Sequence, residues 1–122
     1  MKYLGLLMSV ALLAGCNKSN GDKTKPLIVL NTPSANQQFT QFSNVVISGT
    51  VTDDKLIYDV HVIVTNLSNM AEVLNVQDTV NTQNYNINEV FNITVAATYK
   101  IHVEADDVSG NTSAVEIQVK GN

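Results

Sequence analysis

From Pro26 to the last residue the chain alternates apolar and polar residues with a period of two, and this alternation favours strands over helices. Clusters of Asn, Asp, Ser and Gly separate the alternating stretches. No window in this part of the chain has the spacing of apolar residues that a helix requires. Seven strands are predicted, at residues 27–30, 45–51, 60–64, 73–77, 91–95, 99–105 and 115–119. One apolar face on each strand predicts a single all-β domain, a β-sandwich of two antiparallel sheets.

The start of the chain has a different pattern. Lys2 precedes an apolar run at residues 4–13, and the sequence Leu-Ala-Gly follows directly before Cys16, which is the only cysteine. The run is too short to cross the ~30 Å hydrocarbon core as a helix. Small residues before a cut are typical of signal peptides, so we expect residues 1–15 to be removed. A generic signal peptide is the alternative, although its cleavage needs no cysteine.

Residues 1–16 resemble the bacterial lipoprotein signal. The resemblance implies a diacylglycerol group on Cys16 and a further acyl chain on its new amino group, which together hold a protein on a membrane. Asn17 follows the cysteine where an aspartate would favour retention at the inner membrane, so the resemblance favours the outer membrane. It does not distinguish the periplasmic face from the external face. Residues 16–25 are then a lipidated cysteine with a polar, disordered tether, and residues 26–122 are one domain.

The charge of the chain excludes some classes of partner. The formal net charge is −4, and all seven basic residues are lysines. A nucleic-acid-binding protein or a polybasic membrane-surface protein would have a basic stripe, and none is present. Tryptophan is absent, which weakens the case for sugar binding by ring stacking without excluding it. With one cysteine in the chain, no disulfide can stabilise the domain.

Three local features resemble the bacterial immunoglobulin-like domains of exported lipoproteins and adhesin-like proteins. They are the segment SGTVTDD at residues 48–54, a tyrosine at position 99, and the segment ADDVSGN at residues 105–111. The resemblance covers residues 26–122 and implies an immunoglobulin-like β-sandwich of about seven antiparallel strands. It implies structural roles for Gly49 and Gly110, and a tyrosine corner at Tyr99. The core tryptophan and the disulfide of antibody domains are absent, and most members of the class are not enzymes.

Acidic residues follow the second and sixth predicted strands. In an immunoglobulin-like sandwich the loops after these strands lie at the same end, so Asp53, Asp54, Asp106, Asp107 and Asn111 could gather there. Calcium prefers six to eight oxygen ligands, and this set is a candidate calcium site. The alternative is that Asp53 and Asp107 accept backbone N–H groups in their own turns, next to a glycine with positive φ. No other cofactor is expected.

The two histidines, His61 and His102, fall on the outward faces of strands that pair in this fold. In one register the imidazoles are direct neighbours and resemble half of a zinc site. A register shifted by two residues places His61 opposite Lys100 and Asp59 opposite His102. Solvated surface histidines are the third alternative, and register cannot be derived from the sequence.

No catalytic motif is present, and we expect the protein not to be an enzyme. The first functional hypothesis is a module for binding or adhesion to a protein or glycan. It predicts an exposed patch near Ile57, Tyr58, Ile63 or Tyr85. The alternative is a structural accessory subunit of an envelope complex, which predicts an unprotected edge strand.

Overall fold

The computed structural model describes residues 21–122, so the leader, Cys16 and the first part of the tether lie outside the described residues. The described chain is all-β and contains no helix, which confirms the predicted fold class at that level. The strands are β1 (Leu27–Thr32), β2 (Gln38–Phe39), β3 (Asn44–Asn66), β4 (Ala71–Asn92), β5 (Thr98–Asp107) and β6 (Thr112–Gly121). Within residues 21–122, no helical segment meets the length and apolarity that a membrane span needs.

The six strands form one curled sheet in the order β1-β3-β5-β6-β2, and β4 also pairs with β3. All pairs are antiparallel except β2 with β6. The prediction of seven short strands is wrong in number, because the second and third belong to the single strand β3. The fourth lies within β4, but only residues 91 and 92 of the fifth do, because β4 ends at Asn92 and residues 93–95 are not in a strand. A curled sheet that closes on one core is consistent with a β-sandwich.

β3 is long enough to belong to both halves of the curled sheet. Its pairing register with β4 is interrupted between Thr52 and Ile57. The part before this interruption pairs with β1 and the part after it pairs with β5. At the interruption, the Gln83 side chain donates a hydrogen bond to the Asp54 carbonyl at 3.0 Å. The β3–β4 hairpin therefore folds over itself, and its two halves enclose the core.

The core is made of the inward-facing side chains of both halves. Most are β-branched, as expected for residues packed on a pleated surface. Its buried members are Ile28, Val45, Ile47, Val51, Ile57, Val60, Val62, Val64, Ile87, Phe91, Ile93, Tyr99, Ile101, Val103, Ala105 and Val119. One position is fixed by close backbone approach: a Cβ on Gly49 would lie 2.2 Å from the Val29 carbonyl oxygen. β1 packs against β3 at a distance that only glycine permits.

Tyr99 is the second residue of β5, and its side chain is completely buried. The Tyr99 hydroxyl donates a hydrogen bond to the Val95 carbonyl at 2.8 Å. The hydroxyl oxygen also accepts the Val95 N–H, at 3.4 Å. Its ring lies against Phe91, with the ring centroids 5.6 Å apart. This geometry ties the loop before β5 to the start of the strand.

Backbone hydrogen bonds group the turns at two opposite ends of the domain. The turns at 40–43, 67–70 and 93–97 share one end, which we call the distal pole. There the Phe42 N–H donates to the Ile93 carbonyl (2.6 Å) and the Leu67 N–H donates to the Thr98 carbonyl (2.9 Å). The bend of β3 at 53–56 and the turn at 108–111 lie at the other end, where the Val108 N–H donates to the Leu56 carbonyl (2.9 Å).

Candidate functional site

Three carboxylates meet at the end of the domain opposite the distal pole. Asp53 and Asp54 lie where β3 bends, and Asp22 comes from the segment before β1. One oxygen of each lies within 4.8 Å of the other two. We call these three residues, together with the neighbouring Asp107, the acidic pole.

The sequence did not predict Asp22 as a site residue, since the residue was assigned to the disordered tether. The structure places it against the domain, where its backbone carbonyl accepts a hydrogen bond from the Asn111 side chain at 3.0 Å. Its Oδ1 atom accepts the Thr24 N–H at 3.0 Å. Asp22 lies outside any strand, so no alternation of apolar and polar residues marks it. Only its closeness to the first strand in the sequence could have indicated that it contacts the domain.

Asp107 is almost fully buried and well supplied with donors. Its carboxylate accepts the backbone N–H groups of Ser109 and Asn111 and the Asn111 side-chain amide, each at 2.8 Å. Burial alone would raise the pKa of Asp107, but these hydrogen bonds stabilise the charged form and hold the pKa below its ordinary value. Gly110 completes the turn with a φ of 86°. These contacts match the alternative in which the aspartate supports its own turn.

Asp53 has the opposite electrostatic environment. Burial raises its pKa, and the side chain of Asp54 and the charge of Asp107 raise it further, whereas the Lys55 N–H lowers it. That N–H donates to Asp53 Oδ1 at 2.9 Å. The Oδ2 atoms of Asp53 and Asp22 are both buried and accept no hydrogen bond from the described residues. Each of these carboxylates therefore uses one oxygen in a local turn and leaves the other without a partner.

Carboxylate oxygens that lack a hydrogen-bond partner are suitable ligands for a hard cation such as calcium. Calcium binding at the acidic pole stays a prediction. The structure does not bring Asp106 into the acidic pole. Asp106 lies on the outward face of β5, where its carboxylate accepts a hydrogen bond from the hydroxyl of Thr112 on β6. Alternation along β5 is the reason, because consecutive residues of a strand point to opposite faces.

The strands that carry the two histidines, β3 and β5, pair in neither of the two registers predicted from the sequence. His61 lies opposite Glu104, and His102 lies opposite Ile63, so the imidazoles are not direct neighbours. The Nδ1 atom of His102 lies 3.1 Å from the carboxylate of Glu116 on β6. Half of a zinc site is therefore not formed by this pair.

The predicted apolar patch is wrong at Ile57, which is completely buried. A register irregularity between Ile57 and Asp59 changes which residues face inward, so simple alternation assigns Ile57 to the wrong face. Tyr58 is half-exposed, while Ile63 and Tyr85 are partly buried. Burial raises the pKa of Tyr85, and so does the Asp78 carboxylate, which accepts its hydroxyl at 2.5 Å.

An open pocket of about 230 Å³ lies beside the first turn of the distal pole. Its lining residues are Thr32, Pro33, Gln37, Phe39, Asn44 and Val46. None of these side chains titrates near neutral pH, so the pocket offers no general acid or base.

Comparison with protein-family models and with curated proteins found no match to this chain.

Proposed function

We propose that the protein is a lipid-anchored protein of the bacterial cell envelope whose immunoglobulin-like domain binds a partner protein through the distal pole. The sequence at residues 13–16 supports the anchor, because a leader of this length ends directly before the only cysteine. The proposal involves contact and no catalysis.

The strand pairing supports the immunoglobulin-like assignment. β1 pairs with the first part of β3, the short β2 pairs in parallel with β6, and β5 lies between β3 and β6. The hydroxyl of Tyr99 bonds to the backbone four residues upstream, as the tyrosine corner of this class does.

The observation that carries the proposal is the placement of exposed apolar side chains relative to the point where the tether joins the domain. Asp22 belongs to the acidic pole, and the six residues from Cys16 to Gly21 span only ~20 Å at full stretch. A bilayer holding Cys16 then lies beside the acidic pole, and the distal pole faces away from it. Phe42, Met70 and Val95 are 72, 66 and 45% exposed on the distal pole.

The backbone around Phe42 holds its ring in the exposed position. Its φ is 70°, a left-handed conformation that costs a bulky residue about 1–3 kcal/mol. The Ile93 carbonyl accepts its N–H, and the Asn92 side chain donates to its carbonyl at 3.0 Å. Aromatic residues and methionine are enriched in protein interfaces, which favours a protein over a glycan as the partner.

Two measurements in cells test the proposal. Metabolic labelling with palmitate should mark the wild-type chain and not the Cys16→Ser variant, and unlabelled wild-type chain contradicts the anchor. A photo-crosslinking residue at position 42 should capture one discrete protein in living cells. The same residue at position 108, which is also exposed but lies near the acidic pole, is the matched control. Equal capture from both positions, or none from position 42, contradicts binding through the distal pole.

A further inference from the structure

β4 has a free edge along its whole length. Among residues 21–122, the structure pairs this 22-residue strand with β3 alone, which leaves the hydrogen-bonding groups of its other side without a strand partner. Natural proteins usually protect such an edge with lysine, proline or a covering segment. β4 contains no lysine, arginine or proline. Its backbone is therefore available to another strand.

We call residues 71–80, which form the first part of β4, the β4 edge. Pairing with β3 continues without interruption from Leu74 to Thr79. An extra residue in β4, Val73, ends it on one side, because Leu74 pairs with Val64 and Glu72 with Thr65. Asn81, with a φ of 49°, interrupts the strand on the other side. The uninterrupted stretch has the length of an ordinary short strand.

The inward side chains of the β4 edge are incompletely covered. Leu74 and Val80 pack against the core and are only partly buried, and Val76 between them is also partly buried. On the outward face, Val73 is 38% exposed. A strand with alternating apolar residues, added beside the β4 edge, would present those residues on one face, where they would cover Leu74, Val76 and Val80.

Charge restricts the strand that can be added. The β4 edge carries Glu72 and Asp78, the rest of β4 adds Glu89, and β4 has no positive charge. A second copy of β4 would bring acidic residues against acidic residues, which is unfavourable for cross-strand neighbours. A strand with Lys or Arg would instead be attracted.

We infer that the β4 edge binds an extended segment of a partner protein, in which apolar residues alternate with Lys or Arg, by β-strand addition. This inference requires neither the lipid anchor nor binding at the distal pole, because the β4 edge is a separate surface. If the protein is an accessory subunit of an envelope complex, the β4 edge is the surface that docks, and the docking segment of the complex contains Lys or Arg.

Hydrogen–deuterium exchange of the full chain in detergent micelles tests the inference. The probe is a synthetic seven-residue peptide of alternating Lys and Val, and the control peptide has Glu in place of Lys. Saturating Lys peptide should slow exchange of the amides between Val73 and Thr79 by about tenfold or more. No slowing, equal slowing by the Glu peptide, or slowing that depends on protein concentration without peptide overturns the inference.

Two matched variants separate binding at the edge from a general effect of charge. Val73→Lys adds a positive charge to the β4 edge, and Val46→Lys adds the same charge to the outward face of β3 at a similarly exposed position. Val73→Lys should abolish the protection by the Lys peptide, and Val46→Lys should preserve it. Thermal unfolding confirms that both variants fold. Folded variants that bind the peptide equally well overturn the inference.

Discussion

Replacing Tyr99 with phenylalanine removes one oxygen atom from the core and little else. The phenylalanine ring can keep the packing against Phe91, since only the hydroxyl is lost. The variant Tyr99→Phe therefore measures the hydrogen bonds to Val95 separately from the apolar packing of the ring.

The magnitude follows from the geometry of the two contacts. An intramolecular hydrogen bond contributes about 1 kcal/mol net, and a buried group left without its partner costs about 1–3 kcal/mol. The 2.8 Å bond to the Val95 carbonyl is well formed, and the 3.4 Å contact with the Val95 N–H is long. Val95 is itself partly exposed, so water can replace part of what is lost. We expect the free energy of unfolding to fall by about 1–2 kcal/mol.

Equilibrium unfolding in urea, followed by far-ultraviolet circular dichroism, measures this change. For an m-value of about 2 kcal/mol/M, the unfolding midpoint should fall by about 0.5–1 M while m stays unchanged. Tyr58→Phe is the matched control, because Tyr58 is half-exposed, and its effect should stay below about 0.5 kcal/mol. A Tyr99→Phe midpoint equal to that of the control would refute the role assigned to the hydroxyl.

Three further predictions follow from the same structure. Gly49→Ala should destabilise the domain by about 3 kcal/mol or more, because the new Cβ displaces the Val29 carbonyl; a wild-type melting temperature contradicts this. Asp107→Asn should cost about 1–3 kcal/mol at pH 7. Because the pKa of Asp107 is lowered on folding, its stabilisation is present above the unfolded value and disappears as pH falls through the folded value. Urea unfolding at pH 7 and at a series of pH values below 4 should therefore show the difference between the two proteins shrinking as pH falls, and a difference that stays constant throughout the series contradicts the assignment. Millimolar calcium should raise the melting temperature of the wild type over that in chelator, and of Asp53→Asn much less; an unshifted wild type ends the calcium hypothesis.

Alternation of apolar and polar residues was enough to predict an all-β domain and most of its core. Val60, Val62 and Val64 are buried as their spacing predicts, and so are Ile101 and Val103. These residues belong to strands with regular pairing, where a period of two is a direct consequence of the backbone. The continuity of β3 could not be predicted, because the polar residues at 53–55 would suit a turn between two strands as well as a bend within one long strand.

The site was predicted only in part, for physical reasons that differ from residue to residue. Asp53, Asp54 and Asp107 lie together because the bend of β3 and the end of β5 are at the same pole, which topology determines. Ile57 was assigned to the wrong face because one irregularity in pairing reverses alternation, and nothing local in the sequence marks it. Asp22 was missed because its contact with Asn111 joins segments far apart in the chain.

The antiparallel pairing of β1 with the first part of β3 has a mechanical consequence. β1 starts beside the acidic pole, where Leu27 lies opposite Thr52, and it runs toward the distal pole. Tension applied between the start of β1 and the distal pole therefore acts along the strand axis. The hydrogen bonds between the two strands lie across that axis, so they are loaded together in shear and do not break one after another.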